Sequence, residues 1–188
     1  KLKLFYSDRS PYVRKVMVTL HEVNLFENVE IVGVRTNPLG VVEDLVDVSP
    51  LGKIPTLVLP DRTTIFDSRV ICSYLNSIAK SDLYLAKENL EWSIKTAEAN
   101  FDGILDSALL MVYEHRYRQD IYQNAEWLEN LWKKIERTLD FYNNSSSKIL
   151  SGSLNMGQIS LGCALGYLDY RHNNRNWRAK NQCLRDWF

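Results

Sequence analysis

The stretch from residue 2 to residue 20 reads LKLFYSDRSPYVRKVMVTL and contains the first strand and the first helix of the fold. Its apolar start predicts a strand over Leu2–Tyr6, which runs into a polar turn. Ser10 and Pro11 are residue types favoured at a helix N-cap and at the first helical position. The apolar residues that follow recur at helical spacing. A strand that leads directly into a helix indicates an α/β domain.

The residues up to 79 continue this alternation of strands and helices. The patterns predict a strand over Val29–Val34, a short helix at Val42–Val46, an antiparallel hairpin of Thr56–Leu59 with Thr64–Phe66, and a helix through residues 70–78. The order β-α-β-α-β-β-α describes a small α/β domain over residues 1–79.

The rest of the chain has no strand pattern and indicates a helical bundle. Apolar residues at helical spacing predict helices over Asn89–Tyr117, Gln123–Tyr142 and Asn155–Arg171, with residues 143–147 as a loop. The third helix is rich in small residues, which let helices approach closely, and Asn155 and Gln158 stand at the N-cap and N3 positions of a variant capping box. We therefore expect an all-α domain over residues 86–188, joined to the first domain by a linker at residues 80–85.

Composition and charge narrow the class of protein. The 188 residues include 23 basic and 23 acidic side chains, so the chain has no bulk attraction to nucleic acid or to a membrane surface, and neither is an expected partner. Three cysteines without metal-type spacing and three scattered histidines predict no metal site and a reducing compartment. No apolar stretch has the length of a signal region or membrane span, so we expect a cytoplasmic location.

The first candidate for chemistry is the hydroxyl of Ser10. A helix N-terminus carries partial positive charge and stabilises an anion placed there. The hydroxyl could donate a hydrogen bond to the thiolate of a bound thiol and so lower the pKa of that thiol. A serine cannot take part in disulfide exchange, which excludes a dithiol cycle at this position. The alternative is that Ser10 is only a helix cap.

Two further loop segments offer ligand-binding groups. Pro55 follows Ile54 at the start of a strand, where a cis peptide bond would turn the Ile54 backbone toward a peptide ligand. An ordinary trans proline at a sheet edge is the alternative. Asp67 and Ser68 begin a helix, where they could receive an ammonium and a carboxylate, or simply cap the helix.

Taken together, four motifs resemble the glutathione S-transferase family, especially its bacterial theta-like and serine-type groups. They are SPYVRKV from residue 10, VSPLGKIPTLV from residue 48, FDSRVICSYL from residue 66 and LGCALGYLDYR from residue 161, and the resemblance covers nearly the whole chain. It implies a thioredoxin-like N-terminal domain that binds glutathione, an all-α C-terminal domain and a homodimer. It also implies transfer of glutathione to a small, hydrophobic electrophile, with a role in detoxification.

The resemblance also assigns roles to individual residues. Ser10 maps to the catalytic, thiol-activating serine, with Ser7 as a rival. The residues implied to bind glutathione are Lys53, Ile54, Pro55 (as the cis-proline), Asp67 and Ser68. Those implied to line the acceptor site are Arg9, Tyr12, Leu109 and Tyr113, and Asp102 is a candidate contact to glutathione across a dimer.

The sequence departs from the family pattern at three positions. Val41 stands where some serine-type relatives have a lysine, and the third long helix begins Asn155-x-x-Gln158 where relatives have Ser/Thr-x-x-Asp.

Two other classes of function stay open. One is a non-catalytic ligand- or protein-binding module of the same fold. The other is a glutathione-dependent thiol oxidoreductase, for which Cys72 is the cysteine nearest in sequence to the predicted site.

Overall fold

The computed structural model describes residues 1–84, 90–145 and 148–188. The chain divides into two compact units, Lys1–Leu85 and Ala86–Phe188. The predicted linker spans residues 80–85, and its last residue, Leu85, lies outside the described residues together with residues 86–89.

Within residues 1–84, the first unit contains a four-stranded mixed sheet with the strand order β2-β1-β3-β4. Its strands are β1 (Leu2–Tyr6), β2 (Val29–Gly33), β3 (Thr56–Val58) and β4 (Thr64–Ile65). The strand β1 pairs in parallel with β2 and antiparallel with β3, and β3 pairs antiparallel with β4. All four predicted strands are confirmed, with ends that differ by at most one residue.

The first and third helices of the first unit begin at the predicted caps. The helices of this unit are α1 (Pro11–Glu22), α2 (Glu43–Val46) and α3 (Ser68–Ala79). Helices α1 and α3 pack against each other through fully buried side chains, and the Thr19 hydroxyl of α1 donates to the Cys72 sulfur of α3 over 3.4 Å. The element order confirms the predicted thioredoxin-like arrangement.

The described residues of the second unit form helices and connecting segments, without a strand. Its helices are α4 (Glu91–Tyr117), α5 (Ala125–Asn144), α6 (Met156–His172) and α7 (Gln182–Trp187). Helix α4 packs against both α5 and α6. The three long helices and the all-α class were predicted correctly. The short helix α7 was not predicted, and it is fixed by the buried side chain of Leu184 and by the Trp187 indole, which donates to the Leu150 carbonyl over 3.0 Å.

The predicted loop at residues 143–147 is wrong at its start. Helix α5 continues to Asn144, and the side-chain oxygen of Asn143 accepts a hydrogen bond from the backbone N–H of Leu184 in α7 over 3.2 Å. This contact between segments distant in sequence stabilises the last helical turn, although the local sequence of polar residues favours a loop. Ser146 and Ser147 of the predicted loop lie outside the described residues.

The start of α6 confirms one half of the predicted capping box. The side-chain oxygen of Asn155 accepts from the backbone N–H of Gln158 over 3.2 Å, which makes Asn155 the N-cap. The Gln158 amide donates to the Ile149 carbonyl over 2.9 Å, and the Asn155 amide donates to the same oxygen over 2.8 Å. An aspartate at position 158 has no N–H to donate, so the glutamine adds a tie between α6 and the preceding turn.

The predicted close approach of helices at small residues is confirmed at Gly157. A Cβ atom added there would lie 2.8 Å from the Ile149 side chain and 3.4 Å from the Cβ of Ala97 on α4. At Gly162 of the same helix, no atom would lie within 4 Å of an added Cβ. Only the first of these two glycines is therefore required by packing.

Candidate functional site

Ser10 lies in the turn between β1 and α1, in extended conformation with φ −87° and ψ 121°. Its backbone N–H donates to the Ser7 carbonyl over 3.2 Å, and its side-chain oxygen accepts from the Val13 N–H over 3.2 Å. The N-cap predicted for α1 is therefore confirmed. A hydroxyl has two lone pairs and one donor hydrogen, so capping uses an acceptor position and leaves the hydrogen available for a ligand.

The second segment contains Ile54 and Pro55, and the peptide bond between them is cis, as the resemblance implied. Pro55 is buried and leads into β3, while Lys53 is exposed. The Thr56 hydroxyl donates to the Lys53 carbonyl over 2.7 Å and so fixes the loop just before the strand. The backbone groups of Ile54 take no part in the turn, loop and cap hydrogen bonds among the described residues. They are therefore available to a ligand.

The third segment joins β4 to α3, and the Phe66–Asp67 peptide bond is cis. Asp67 is the N-cap of α3, since one carboxylate oxygen accepts from the Arg69 backbone N–H over 3.1 Å. The other oxygen lies 3.4 Å from the Arg69 guanidinium, and the Asp67 side chain stays 56% exposed. Ser68 is buried, with 2% of its surface exposed. The predicted capping is confirmed, and the exposed carboxylate remains accessible to a second cation.

The sheet register brings these three segments together. Phe5 near the end of β1 lies opposite Thr56 at the start of β3, and Leu57 lies opposite Ile65 at the end of β4. Neighbouring strands are about 4.8 Å apart. The turn that holds Ser10, the Ile54–Pro55 segment and the Asp67–Ser68 segment therefore leave the sheet at the same end of three adjacent strands. This end presents two helix N-termini and one row of backbone groups.

The remaining predicted residues are divided between the two units. In the first unit, Arg9 is exposed and Tyr12 is half-buried, and both are close in sequence to Ser10. In the second unit, Leu109 and Tyr113 are half-buried on α4. Burial raises the pKa of the Tyr113 phenol, and so does the neighbouring Tyr117, whose ring centroid is 5.6 Å away.

Asp102 and Ser7 are placed differently from the other candidates. Asp102 lies in the middle of α4 and is buried, with 6% of its surface exposed. Ser7 is half-buried, and its carbonyl oxygen accepts from Ser10, so it supports the turn in which Ser10 lies.

Other kinds of site find little support in the part of the chain that is described. Residues 1–84, 90–145 and 148–188 contain no group of three or more His, Cys, Asp or Glu side chains arranged to hold a metal ion. Within the same ranges, every helix is too short or too polar to cross a membrane. Cys72 is completely buried, which opposes the thiol chemistry that an oxidoreductase would need from it.

Comparison with known proteins identifies the family. The model of the glutathione S-transferase N-terminal domain matches residues 9–78, and that of the glutathione S-transferase C-terminal domain matches residues 125–188. This chain belongs to the glutathione S-transferase family. The two matches cover the three loop segments of the first unit and helices α5 to α7 of the second.

The relatives of this family member are similar to it in sequence or in fold over nearly its whole length. The GST-like protein YibF of Escherichia coli K12, itself uncharacterized, is 30% identical over 180 residues, which is 94% of this chain and 86% of the relative. A glutathione transferase family member from Pseudomonas fluorescens Pf-5, solved with bound glutathione, is 35% identical with a TM-score of 0.94, and the match covers 100% of this chain and 92% of that one. The same Pseudomonas fluorescens protein, solved with bound S-(propanoic acid)-glutathione, gives a TM-score of 0.91 at 35% identity and the same coverage.

Of one group in this family member, the sequence analysis predicted only Tyr113 as a site residue and did not single out Tyr117, Tyr167 or Arg171. Arg171 and three tyrosines lie near the C-terminal ends of α4 and α6 in the second unit. The signal available was the spacing of Tyr113 with Tyr117 and of Tyr167 with Arg171, because residues four apart share one face of a helix.

Proposed function

We propose that this protein is a glutathione transferase, which activates the thiol of glutathione as a thiolate for attack on a small, hydrophobic electrophile. The observation that carries the proposal is the Ser10 hydroxyl. It caps α1 through its oxygen and keeps its hydrogen available at a helix N-terminus. A thiolate at this point would receive a hydrogen bond and the favourable field of the helix, and both lower the pKa of the thiol.

The other two segments would hold the rest of the glutathione molecule. The backbone groups of Ile54, which take no part in turn, loop or cap hydrogen bonds among the described residues, would pair with the cysteinyl backbone, and the exposed ammonium of Lys53 would attract the glycine carboxylate. The Asp67 carboxylate, 56% exposed, would accept from the γ-glutamyl ammonium. The hydroxyl and N–H of Ser68, at the start of α3, would donate to the γ-glutamyl carboxylate.

The chemistry proposed is a nucleophilic attack by sulfur. The thiol proton is released to solvent, and the thiolate electron pair forms a carbon–sulfur bond with the electrophile. With a halide electrophile, the halide leaves with its bonding electrons. With an α,β-unsaturated acid, the electrons of the double bond move to the α-carbon, which takes a proton from water. Binding of S-(propanoic acid)-glutathione by the Pseudomonas fluorescens relative supports a site that accommodates such a conjugate.

The proposal extends to the acceptor, the assembly and the cellular role. Arg9 and Tyr12 are proposed to contact the acceptor because they flank Ser10. A homodimer is supported by large apolar side chains that remain exposed on the loops flanking α2, with Leu39 76%, Val41 74% and Leu51 63% exposed. Sedimentation of the purified chain tests the dimer, since a single monomeric species over the micromolar range would exclude it. In the described part of the chain, none of the three cysteines forms a disulfide, which supports a cytoplasmic location, and detoxification is the proposed role.

The test is a titration of bound glutathione against pH, followed by the ultraviolet absorbance of its thiolate. The wild-type chain should bind glutathione with a thiol pKa below that of the free tripeptide, and turnover should follow with an aryl halide or with acrylate. S-Methylglutathione is the control, because it fills the same site and has no thiol to ionise. Glutathione binding without thiolate formation or turnover would support the non-catalytic binding module instead.

A further inference from the structure

Lys15 is a fully buried lysine in the first unit. It lies on α1, after the Ser10 cap, and 0% of its surface is exposed. Lysine is almost never buried to this extent, because its ammonium group loses its hydration. Arg14, the preceding residue on the same helix, is exposed in the usual way. Lys15 belongs to none of the three loop segments of the candidate site, so its burial has another cause.

The packing of α1 against α3 places Lys15 level with Ser68. Strands β1 and β4 are both antiparallel to β3, and α1 and α3 follow them, so the two helices start at the same end of the sheet and run in the same direction. The Thr19 hydroxyl contacts the Cys72 sulfur over 3.4 Å. Lys15 precedes Thr19 by four residues, and Ser68 precedes Cys72 by four, so each lies one helical turn earlier on the face that makes this contact.

Helix geometry directs the stem of Lys15 toward the start of α1. Long side chains on a helix lead back over the preceding turn, which for Lys15 begins at Pro11. The ammonium group is thereby carried toward the end of the sheet where Ser10 and Ser68 lie. Ser68 is 2% exposed, so Lys15 approaches it from the buried side of α3.

The exposed side of the same segment carries the opposite charge. The Asp67 carboxylate is 56% exposed, and the Arg69 guanidinium lies 3.4 Å from it, so these two surface charges engage each other. A γ-glutamyl group ends in one ammonium and one carboxylate, and it therefore favours a site with both an anion and a cation. Asp67 is the anion on the exposed side of this segment, and Lys15 is the cation on its buried side.

We propose that Lys15 is a positioning residue that makes the site specific for thiol peptides with a free γ-glutamyl carboxylate. This inference rests on the proposed function, in which Ser68 donates to that carboxylate. The Lys15 ammonium acts on the carboxylate through space, from behind Ser68, and solvent and salt screen a buried charge of this kind only weakly. A peptide without the carboxylate gains nothing from Lys15 and binds more weakly.

The test compares two peptides by calorimetry on the full chain. One is S-methylglutathione, and the other is S-methyl-(4-aminobutyryl)-cysteinylglycine, which is the same peptide without the γ-glutamyl carboxylate. Wild type should bind the first about tenfold or more tightly than the second. Lys15→Met should bind S-methylglutathione about tenfold more weakly than wild type does, because loss of one nearby charge at a weakly screened site has an effect of this size. Its affinity for the second peptide should be unchanged, so the preference for the carboxylate should nearly disappear.

Two further measurements separate this role from a structural one. Arg14→Met removes a charge from the exposed face of the same helix and should leave both affinities unchanged. In wild type, which needs no substitution, the NMR signals of the Lys15 ammonium group should shift with S-methylglutathione and stay in place with the second peptide.

The outcomes distinguish this proposal from the proposed function. Equal losses for both peptides in Lys15→Met, an unchanged preference in that variant, or Lys15 signals that respond alike to both peptides would overturn the role of Lys15 alone. Absence of S-methylglutathione binding by wild type would overturn the proposed function and this role with it. Because the peptides carry no free thiol, failure of thiolate formation or turnover would contradict only the proposed transferase chemistry.

Discussion

Three substitutions of Ser10 separate its two roles, the helix cap and the hydrogen-bond donor. In Ser10→Thr, the side chain keeps both the accepting oxygen and the donor hydrogen. In Ser10→Asp, the carboxylate still accepts from the Val13 N–H, as the serine does over 3.2 Å, but it has no hydrogen to donate. In Ser10→Ala, both are lost. A comparison of stability and thiol ionisation across the three variants therefore assigns each effect to one part of the hydroxyl.

The expected magnitudes follow from the same geometry. Loss of an N-cap costs about 1 kcal/mol in the free energy of unfolding, so Ser10→Ala should be destabilised by about that amount while the Asp and Thr variants stay near wild type. A hydrogen bond to a charged group contributes about 1.5–3 kcal/mol, which corresponds to a rise of about 1–2 in the pKa of the bound thiol when the donor is lost. Ser10→Asp should raise this pKa further, because its negative charge lies beside the thiolate.

The assay combines urea unfolding of each variant with the ultraviolet titration of bound glutathione. The Ser10→Asp and Ser10→Thr variants should be similarly stable, and both should be more stable than Ser10→Ala. The fraction of bound glutathione present as thiolate should be highest in Ser10→Thr, lower in Ser10→Ala and lowest in Ser10→Asp. A thiol pKa that is unchanged in all three variants would refute the donor role of Ser10. Ser10 would then be a helix cap only, and Ser7 would be the next candidate for the thiol-activating residue. If the variants lose thiolate in the same order in which they lose stability, the cause is disruption of helix α1 and not loss of the donor.

Four further outcomes are expected. Burial lowers the pKa of the His172 imidazole, so this group binds its proton at a higher pH in the unfolded chain than in the folded one. Its neutral form therefore stabilises the fold fully above pH ~6.5, and this stabilisation is lost as the pH falls. In chemical unfolding, His172→Gln should lose less stability than wild type between about pH 7 and 5. Gly157→Ala should destabilise by about 1–3 kcal/mol, whereas Gly162→Ala should stabilise by about 0.5–1 kcal/mol, and equal effects in thermal unfolding would contradict the packing described for α6. Asn155→Ala should cost about 1 kcal/mol, and a neutral result in urea unfolding would mean that the cap contributes nothing. Cys72→Ala should leave the ionisation of bound glutathione unchanged, and an accompanying loss of a glutathione-dependent reductase activity would restore the oxidoreductase alternative.

The parts of the fold that the sequence predicts are those with a local cause. Ser10 with Pro11 and Asp67 mark helix starts through their own side chains, so α1 and α3 begin where expected. Helix α7 and the last turn of α5 depend on contacts between distant segments. Asn143 bonds to Leu184, and Trp187 bonds to the Leu150 carbonyl, and no local pattern contains these pairs. Local propensity is overridden there by tertiary contacts.

The candidate site likewise has a part with a local cause, which the sequence predicts, and a part that depends on tertiary packing. The three loop segments adjoin strand ends, after β1 and β4 and before β3, and the strand order and register bring these ends together. A sequence that predicts the strands therefore places each segment beside a strand end. The group around Arg171 arises differently. Tyr113 and Tyr167 lie on separate helices, and their proximity depends on how α4 packs against α6. Helical periodicity gives the face of each helix but not which faces meet.

Capping and catalysis at Ser10 are therefore compatible explanations, because a hydroxyl can serve both at once. The oxygen that accepts from the Val13 N–H holds the hydroxyl at the N-terminus of α1, where the field of the helix favours an anion. The same logic applies to Asp67, which caps α3 and keeps an exposed carboxylate oxygen. The presence of a cap residue is therefore no evidence against a binding or catalytic role at this end of the sheet. Only a substitution that keeps the cap and removes the hydrogen-bond donor can distinguish the capping role from the catalytic one.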